Sequence, residues 1–222
     1  MRYLGLLPAL CATVLLVSNV ASTKLVVLGP FTFDGGTLLF PLAYIFGDVL
    51  TEVYGYRKSR RVIWIGFFAL LLATLTFQAV AHLPAPPDAE SQRFGEAFGL
   101  LLGLTPRIVL GSLLAYFLGE FANAYVLAKL KVRTEGRFFW LRALASTLVG
   151  QGLDTGVFLL VAFYGVFPKE VLLAVFLSNY AFKLGVEALM LPFTYAVVGF
   201  LKRAEGMDAY DRDTDFNPFR LT

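Results

Sequence analysis

The chain of 222 residues has little charge, one cysteine and one histidine. Only 16% of its residues are Asp, Glu, Lys or Arg, against roughly 25% in an average soluble domain. A soluble fold of this size needs polar residues to cover its outside, and too few are present. The single cysteine, Cys11, excludes an intramolecular disulfide and a cysteine-based metal site. The single histidine, His82, excludes a histidine-rich zinc or iron centre; at the end of an apolar run it reads as an interfacial or loop residue. No metal and no cofactor are therefore expected. Gly-x-Gly-Asp, His-Glu-x-x-His and Gly-x-Ser-x-Gly signatures are all missing, so catalysis has little to stand on beyond an acid pair such as Asp48 and Asp154. The net charge of +3 is small and its basic residues sit in short clusters beside apolar runs, which excludes a nucleic-acid surface. The tail Asp211-Arg212-Asp213-Thr214-Asp215 imitates the start of a calcium loop. It has Phe216 where that loop needs glycine and Thr222 where it needs glutamate, so it reads as a solvated tail.

What the chain has instead is apolar length. Hydrophobic residues make up 58%, with 22 phenylalanines and a mean hydropathy of +0.70. Six runs of about 20 residues or more, at 3–21, 37–56, 62–81, 107–130, 143–165 and 171–201, each match a hydrocarbon core roughly 30 Å thick. The first run has the look of a secretory signal, with Val20-Ala21-Ser22 at its end, but with further spans following it is read as a retained helix. Leu10 before Cys11 excludes a lipoprotein anchor. The apolar stretch 96–104 is too short to span and is expected at the interface or re-entrant. The expected fold is all-α: a polytopic membrane protein of six transmembrane helices in one domain, 1–204, followed by a cytoplasmic tail, 205–222.

Lysine and arginine set the orientation. One side collects Arg2; Arg57, Lys58, Arg60 and Arg61; Lys129, Lys131, Arg133, Arg137 and Arg142; and Lys202 and Arg203. The other side holds only Lys24, Arg93, Arg107 and Lys169. The positive-inside rule then places both termini in the cytoplasm, which requires an even number of spans. Trp64 and Trp140 adjoin basic clusters, as interfacial anchors do.

Within these apolar runs stand polar residues that cost energy. A charge at the bilayer centre costs roughly 2.5–3.5 kcal/mol on insertion scales. Asp48 and Glu52 in the second run are four apart, which places them on one helix face with Tyr44 a turn earlier. The fourth run carries Glu120 and Asn123, the fifth Gln151 and Asp154 with Thr155 beside them, and the sixth Asn179, Lys183 and Glu187 at four-residue steps. Asn19 ends the first. Asn19, Asn123 and Gln151 read equally as interhelical glue or as function. The acids are harder to explain as glue, because five intramembrane carboxylates face one intramembrane lysine, Lys183, which has Glu187 one turn away. Their convergence from several helices points to a polar cavity. Ser18-Asn19-Val20-Ala21 before Lys24 loosely echoes Ser178-Asn179-Tyr180-Ala181 before Lys183, too short a match to establish an internal repeat.

Several of these stretches together resemble the bacterial queuosine precursor transporters of the vitamin uptake transporter group. They are Ser18-Asn19 with Lys24; Pro41 and then Gly47-Asp48-Val49-Leu50-Thr51-Glu52-Val53-Tyr54-Gly55-Tyr56-Arg57; Gly119-Glu120-Phe121-Ala122-Asn123-Ala124; Trp140-Leu141-Arg142-Ala143 with Ser146-Thr147; Gln151-Gly152-Leu153-Asp154-Thr155; Lys183 with Glu187 and Pro192; and Asp215-Phe216-Asn217-Pro218-Phe219. The likeness runs from about Ser18 to Phe219, and the stretch from Asp48 to Tyr56 is its specific part. It implies six transmembrane helices in the bacterial inner membrane and uptake of 7-deazaguanine bases, chiefly 7-cyano-7-deazaguanine, for queuosine in tRNA. The partners implied are this small-molecule 7-deazapurine and the lipid bilayer, with no nucleic acid; homo-oligomerisation stays open.

Such a base has chemistry that these residues match. Its ring N–H and exocyclic amine are adjacent donors that one carboxylate accepts together. One of Glu52, Asp154 or Glu187 is expected to hold that edge, with the base carbonyl facing Lys183, Asn123, Gln151 or Asn179 and its faces stacking on Tyr44, Phe117 or Phe158. The expected substrate site thus draws on Asn19, Asp48, Glu52, Glu120, Asn123, Gln151, Asp154, Asn179, Lys183 and Glu187. The rival reading is the substrate-binding subunit of an energy-coupling-factor transporter, for which Gly5 and Ala9 would provide a small-residue docking face. An intramembrane enzyme and a structural membrane scaffold also compete with it. Energy coupling, by protons, ions or facilitated diffusion, stays open.

Overall fold

The computed structural model describes residues 3–28 and 31–220, apart from the side chains at 25, 28, 31–34, 37, 40, 41 and 44. Seven α-helices are found among the described residues: α1 Leu7–Ala21, α2 Phe40–Val49, α3 Tyr56–Ala81, α4 Ala89–Leu102, α5 Pro106–Arg133, α6 Phe139–Phe163 and α7 Lys169–Glu205. Four of them, α3, α5, α6 and α7, are long and apolar enough to cross a membrane. The other two expected spans are shorter: α1 has 15 residues and α2 has 10, continued by a π-helical turn over Leu50–Tyr54. Large apolar side chains such as Phe68, Leu72 and Leu189 stand exposed on the outer faces, the arrangement suited to a lipid solvent.

The expectation of a purely helical chain is corrected at one place. β1 Leu25–Leu28 pairs antiparallel with β2 Phe31–Asp34, with Leu25 opposite Asp34 and Leu28 opposite Phe31. The β-branched and aromatic residues of this linker, Val26, Val27, Phe31 and Phe33, favour extended backbone over helix. The short stretch 96–104 falls largely within α4, whose 14 residues include none that is buried. Asp88 caps α4 by accepting from the Ser91 N–H at 2.8 Å, and Thr105 caps α5, with Pro106 as the first helical residue.

Helices α5 and α6 approach most closely. Gly111, Ala115 and Gly119 recur every four residues along one face of α5. A Cβ on Gly119 would stand 2.8 Å from the Asp154 Cβ and 3.0 Å from the Gly150 carbonyl; a Cβ on Gly150 would stand 2.8 Å from the Asn123 Cβ. This close approach sets Glu120 and Asn123 on one helix beside Gln151 and Asp154 on the other.

One end of the molecule collects the start of α1, the junction of α2 with α3, the junction of α5 with α6 and the end of α7. The Tyr3 backbone N–H and the Tyr54 hydroxyl both donate to Glu205, at 2.7 and 3.0 Å. Val49, Leu50, Val53, Leu127, Ala143, Val198 and Leu201 form the apolar core of this end. Gly55 breaks the chain between the π turn and α3 with φ +82°, a conformation that disfavours any side chain.

The residues after Gly206 are mostly exposed, yet they fold back onto this end. Asp211 accepts from the Tyr56 N–H at 2.9 Å and so caps α3 from a distant part of the chain. Arg60, 1% exposed, donates to the carbonyls of Asp215 and Asn217 at 2.9 and 2.6 Å. Trp64 donates its indole N–H to the Pro218 carbonyl at 2.8 Å, and the Tyr56 hydroxyl donates to the Phe216 carbonyl at 3.0 Å. Phe219 stacks on Phe117, the ring expected from sequence to meet a flat ligand.

Candidate functional site

A cavity of about 730 Å3 opens between α1, α5, α6 and α7, and among the described residues α2 contributes Ala43 to its wall. Its size falls in the roughly 300–1,000 Å3 range of small-molecule sites. Six of the ten residues singled out by sequence line it: Asn19, Glu120, Gln151, Asp154, Asn179 and Lys183. The two echoing dipeptides meet here, because Ser18-Asn19 on α1 and Ser178-Asn179 on α7 are all wall residues. Tyr116 and Phe158 add aromatic surface. The side chain of Tyr44, expected to stack on a ligand, lies outside the described residues.

Asp48, Glu52, Asn123 and Glu187 are not wall residues. Glu52, 1% exposed, sits in the π turn and points to the basic end. Arg142 grips it in bidentate fashion, with Nη1 at 2.5 Å from Oε2 and Nη2 at 3.3 Å from Oε1. Lys202 donates to Oε1 at 2.7 Å, while the Lys131 ammonium lies 3.5 Å from the same oxygen and donates to the Glu52 carbonyl at 2.5 Å. Lys131 and Lys202 also bond to Asp208, the latter at 2.9 Å. Burial raises the pKa of Asp208, but the hydrogen bonds from these two lysines outweigh it and hold the carboxyl below its ordinary value of 3.8. Two carboxylates and three cations thus satisfy one another in a closed cluster.

Asp48 and Glu52 do not share a face, although they stand four residues apart. The π turn begins at Leu50 between them, and its wider winding re-aims Glu52. Asp48 turns toward the interior, where Asn123 donates to it at 3.5 Å and Glu187 faces it side chain to side chain. Glu187 also does not pair with Lys183. Lys183 instead bonds across to Asp154 on α6 at 3.0 Å, joining two wall residues.

Among the cavity acids this leaves Glu120. No hydrogen bond or ion pair joins its carboxylate to the described residues, while Asp154 and Lys183 act on it only through their fields. A Cβ on Gly47 would stand 3.6 Å from Glu120 Oε2, so α2 passes directly behind it. Thr155, 5% exposed, lines the cavity with a hydroxyl that has no hydrogen-bond partner, and the Gln151 Oε1 is in the same condition. Both atoms are buried in residues of the cavity wall and accept or donate nothing among the described residues.

Ser112 and Tyr116 are wall residues that a search for misplaced charges and amides passes over. Their signal is one of spacing: Ser112, Tyr116 and Glu120 follow one another at four-residue steps on α5, one helix face. Among the described residues no group of His, Cys, Asp or Glu is placed to hold a metal.

Comparison with known proteins adds the family. Residues 34–197 match the family model described as "Putative vitamin uptake transporter". The chain is 35% identical over 181 residues to a Bacillus subtilis protein named "Probable queuosine precursor transporter", covering 81% of this chain and 77% of that one. It is 27% identical to the Escherichia coli "Queuosine precursor transporter" over 73% of this chain and 71% of the relative. A Haemophilus influenzae relative with the former name is 26% identical over 79% and 74%. No solved structure matches. The chain belongs to the vitamin uptake transporter family.

Proposed function

We propose that this protein imports queuosine precursor bases, 7-cyano-7-deazaguanine and also its 7-aminomethyl relative, across the bacterial inner membrane. The relatives' names supply the cargo. The observation that carries the transport reading is the 730 Å3 cavity, walled by amides, hydroxyls, two acids and a lysine inside helices of membrane-spanning length. Such groups are costly there unless they serve a polar solute. The reading treats residues 1–204 as one six-helix unit: α1 and the α2–π segment complete the four long spans, and both termini face the cytoplasm. The clustering of basic residues at the end shared by Tyr3 and Glu205 supports that topology. The protein acts as a carrier and performs no chemistry on its cargo.

The wall residues Asn19, Glu120, Gln151, Asp154, Asn179 and Lys183 form the substrate site. Asp48, Asn123 and Glu187 stand behind it, and Glu52 anchors the basic end. Lys183, held at 3.0 Å from Asp154, places a cation in the same wall.

The test is uptake of labelled 7-cyano-7-deazaguanine into liposomes that contain this protein alone. Accumulation above protein-free liposomes is expected. Binding without uptake would transfer the protein to the energy-coupling-factor class, whose substrate-binding subunits need ATPase partners. Neither binding nor uptake would overturn the reading.

A further inference from the structure

We propose that Glu120 is the specificity-determining carboxylate of the cavity, and that it selects purine-like bases bearing adjacent ring N–H and exocyclic amine donors. This role rests on the transport reading above and says which group does the choosing. The other acids of the molecule's interior either lie outside the cavity wall or are bonded to a cation. Glu52 is held by Arg142, Lys131 and Lys202 outside the cavity, with its two oxygens occupied. Asp48 and Glu187 face each other outside the wall. Asp154 belongs to the wall, but one of its oxygens accepts from Lys183 at 3.0 Å. Glu120 is the acid of the cavity wall whose carboxylate accepts nothing from the described residues.

A second observation points to a ligand at the same place. The Thr155 side chain is 5% exposed, lines the cavity and leaves its hydroxyl without a partner. A buried hydroxyl is ordinarily bonded, and this one stands without a partner in the same cavity wall as Glu120. Phe158, one turn from Thr155, gives the solute a flat apolar surface. A carboxylate with two oxygens matches two parallel donors at the spacing of a guanine-type edge. Hypoxanthine-type bases keep the ring N–H but lack the amine, and adenine-type bases present an acceptor where the ring N–H should be. In the guanine pose hypoxanthine leaves one carboxylate oxygen unpaired, and adenine, which also lacks the amine at that carbon, leaves both.

The experiment measures binding of 7-cyano-7-deazaguanine, guanine and hypoxanthine to the full-length protein in detergent, with Glu120→Gln and Thr155→Val as variants. Wild type should bind the guanine-type bases about 10- to 100-fold more tightly than hypoxanthine, the range that one bidentate contact supplies. Glu120→Gln should reduce that preference to within about threefold, because an amide oxygen accepts only one of the two donors. Thr155→Val should weaken all bases together and leave the preference intact. A folded Glu120→Gln that keeps the wild-type preference would overturn the assignment while leaving the transport reading standing. A wild type that binds none of the three bases would overturn both. Should Glu120→Gln not fold, carbodiimide labelling of wild type decides: 7-cyano-7-deazaguanine protects Glu120 if the proposal holds, and unchanged labelling of Glu120 in saturating base contradicts it.

Discussion

Glu52 and Glu120 are both glutamates inside apolar helices, and their surroundings are opposite. Three cations close on Glu52 at one end of the molecule. Glu120 stands in a cavity wall with no direct partner among the described residues. Removing one member of a buried ion pair leaves an uncompensated charge and costs about 3–5 kcal/mol, whereas an unpaired group that faces open space costs little to neutralise. The difference teaches that buried charge as such does not mark a binding site. What marks it is charge that the protein has left unanswered.

The largest predicted effect follows from the closed cluster. Glu52→Ala strands Arg142 and leaves Lys131 and Lys202 to share Asp208, and it should destabilise by about 3–5 kcal/mol, seen as a large fall in melting temperature in detergent. Arg142→Ala should approach the same cost, since Arg142 also ties down the carbonyls of Arg137 and Gly136. A stable Glu52→Ala would break the comparison on this side.

Next in size is the α5–α6 contact that assembles the cavity. Gly119→Val or Gly150→Val would push a side chain into Asp154 or Asn123 and should cost about 1–3 kcal/mol. Ligand-induced stabilisation should be lost as well, because the two helices can no longer hold Glu120 beside Gln151. The tail clamp is comparable: Arg60→Ala removes two hydrogen bonds to the carbonyls of Asp215 and Asn217 and should cost about 1–3 kcal/mol. Limited proteolysis should then release the last residues, which stay protected in wild type.

Much of this was legible from sequence, and what was not has physical causes. Run length and apolar composition placed α5, α6 and α7 within four residues of their observed bounds, while α3 begins six residues before the apolar run expected for it, in the basic stretch from Tyr56 to Arg61. Six of the ten polar residues found by their misplaced polarity do line one cavity. The fate of Glu52 was hidden, since its partners Lys131, Arg142 and Lys202 lie 79, 90 and 150 residues away. The helix-face argument for Asp48 and Glu52 assumed regular α winding, which the π turn interrupts. Lys183 had an acid one turn away and chose Asp154 on another helix. The tail was read as solvated because its charges look hydrophilic, yet its backbone carbonyls are what Arg60 and Trp64 bind. Backbone acceptors leave no trace in composition.

The smallest effect concerns the rim of the closed cluster. Asp208 is held below its ordinary pKa in the folded protein, so its contribution is present above about pH 3.8 and fades as pH falls through the lowered folded value. Its side chain is 42% exposed, so solvent screening limits Asp208→Asn to a few tenths of a kcal/mol, up to about 1 kcal/mol. A melting series from pH 7 to pH 3 should show wild type and Asp208→Asn converging at the acid end.

The contrast between the two glutamates is tested most directly by one set of melting curves. Wild type, Glu52→Gln and Glu120→Gln are each heated with and without saturating 7-cyano-7-deazaguanine, whose binding raises stability by RT ln(1 + [L]/Kd). Glu120→Gln should melt with wild type when empty and lose most of the ligand-induced rise, and Glu52→Gln should melt well below wild type whether empty or loaded. A Glu120→Gln protein that gains the full wild-type rise from the base, beside a Glu52→Gln protein that melts normally, would contradict the account.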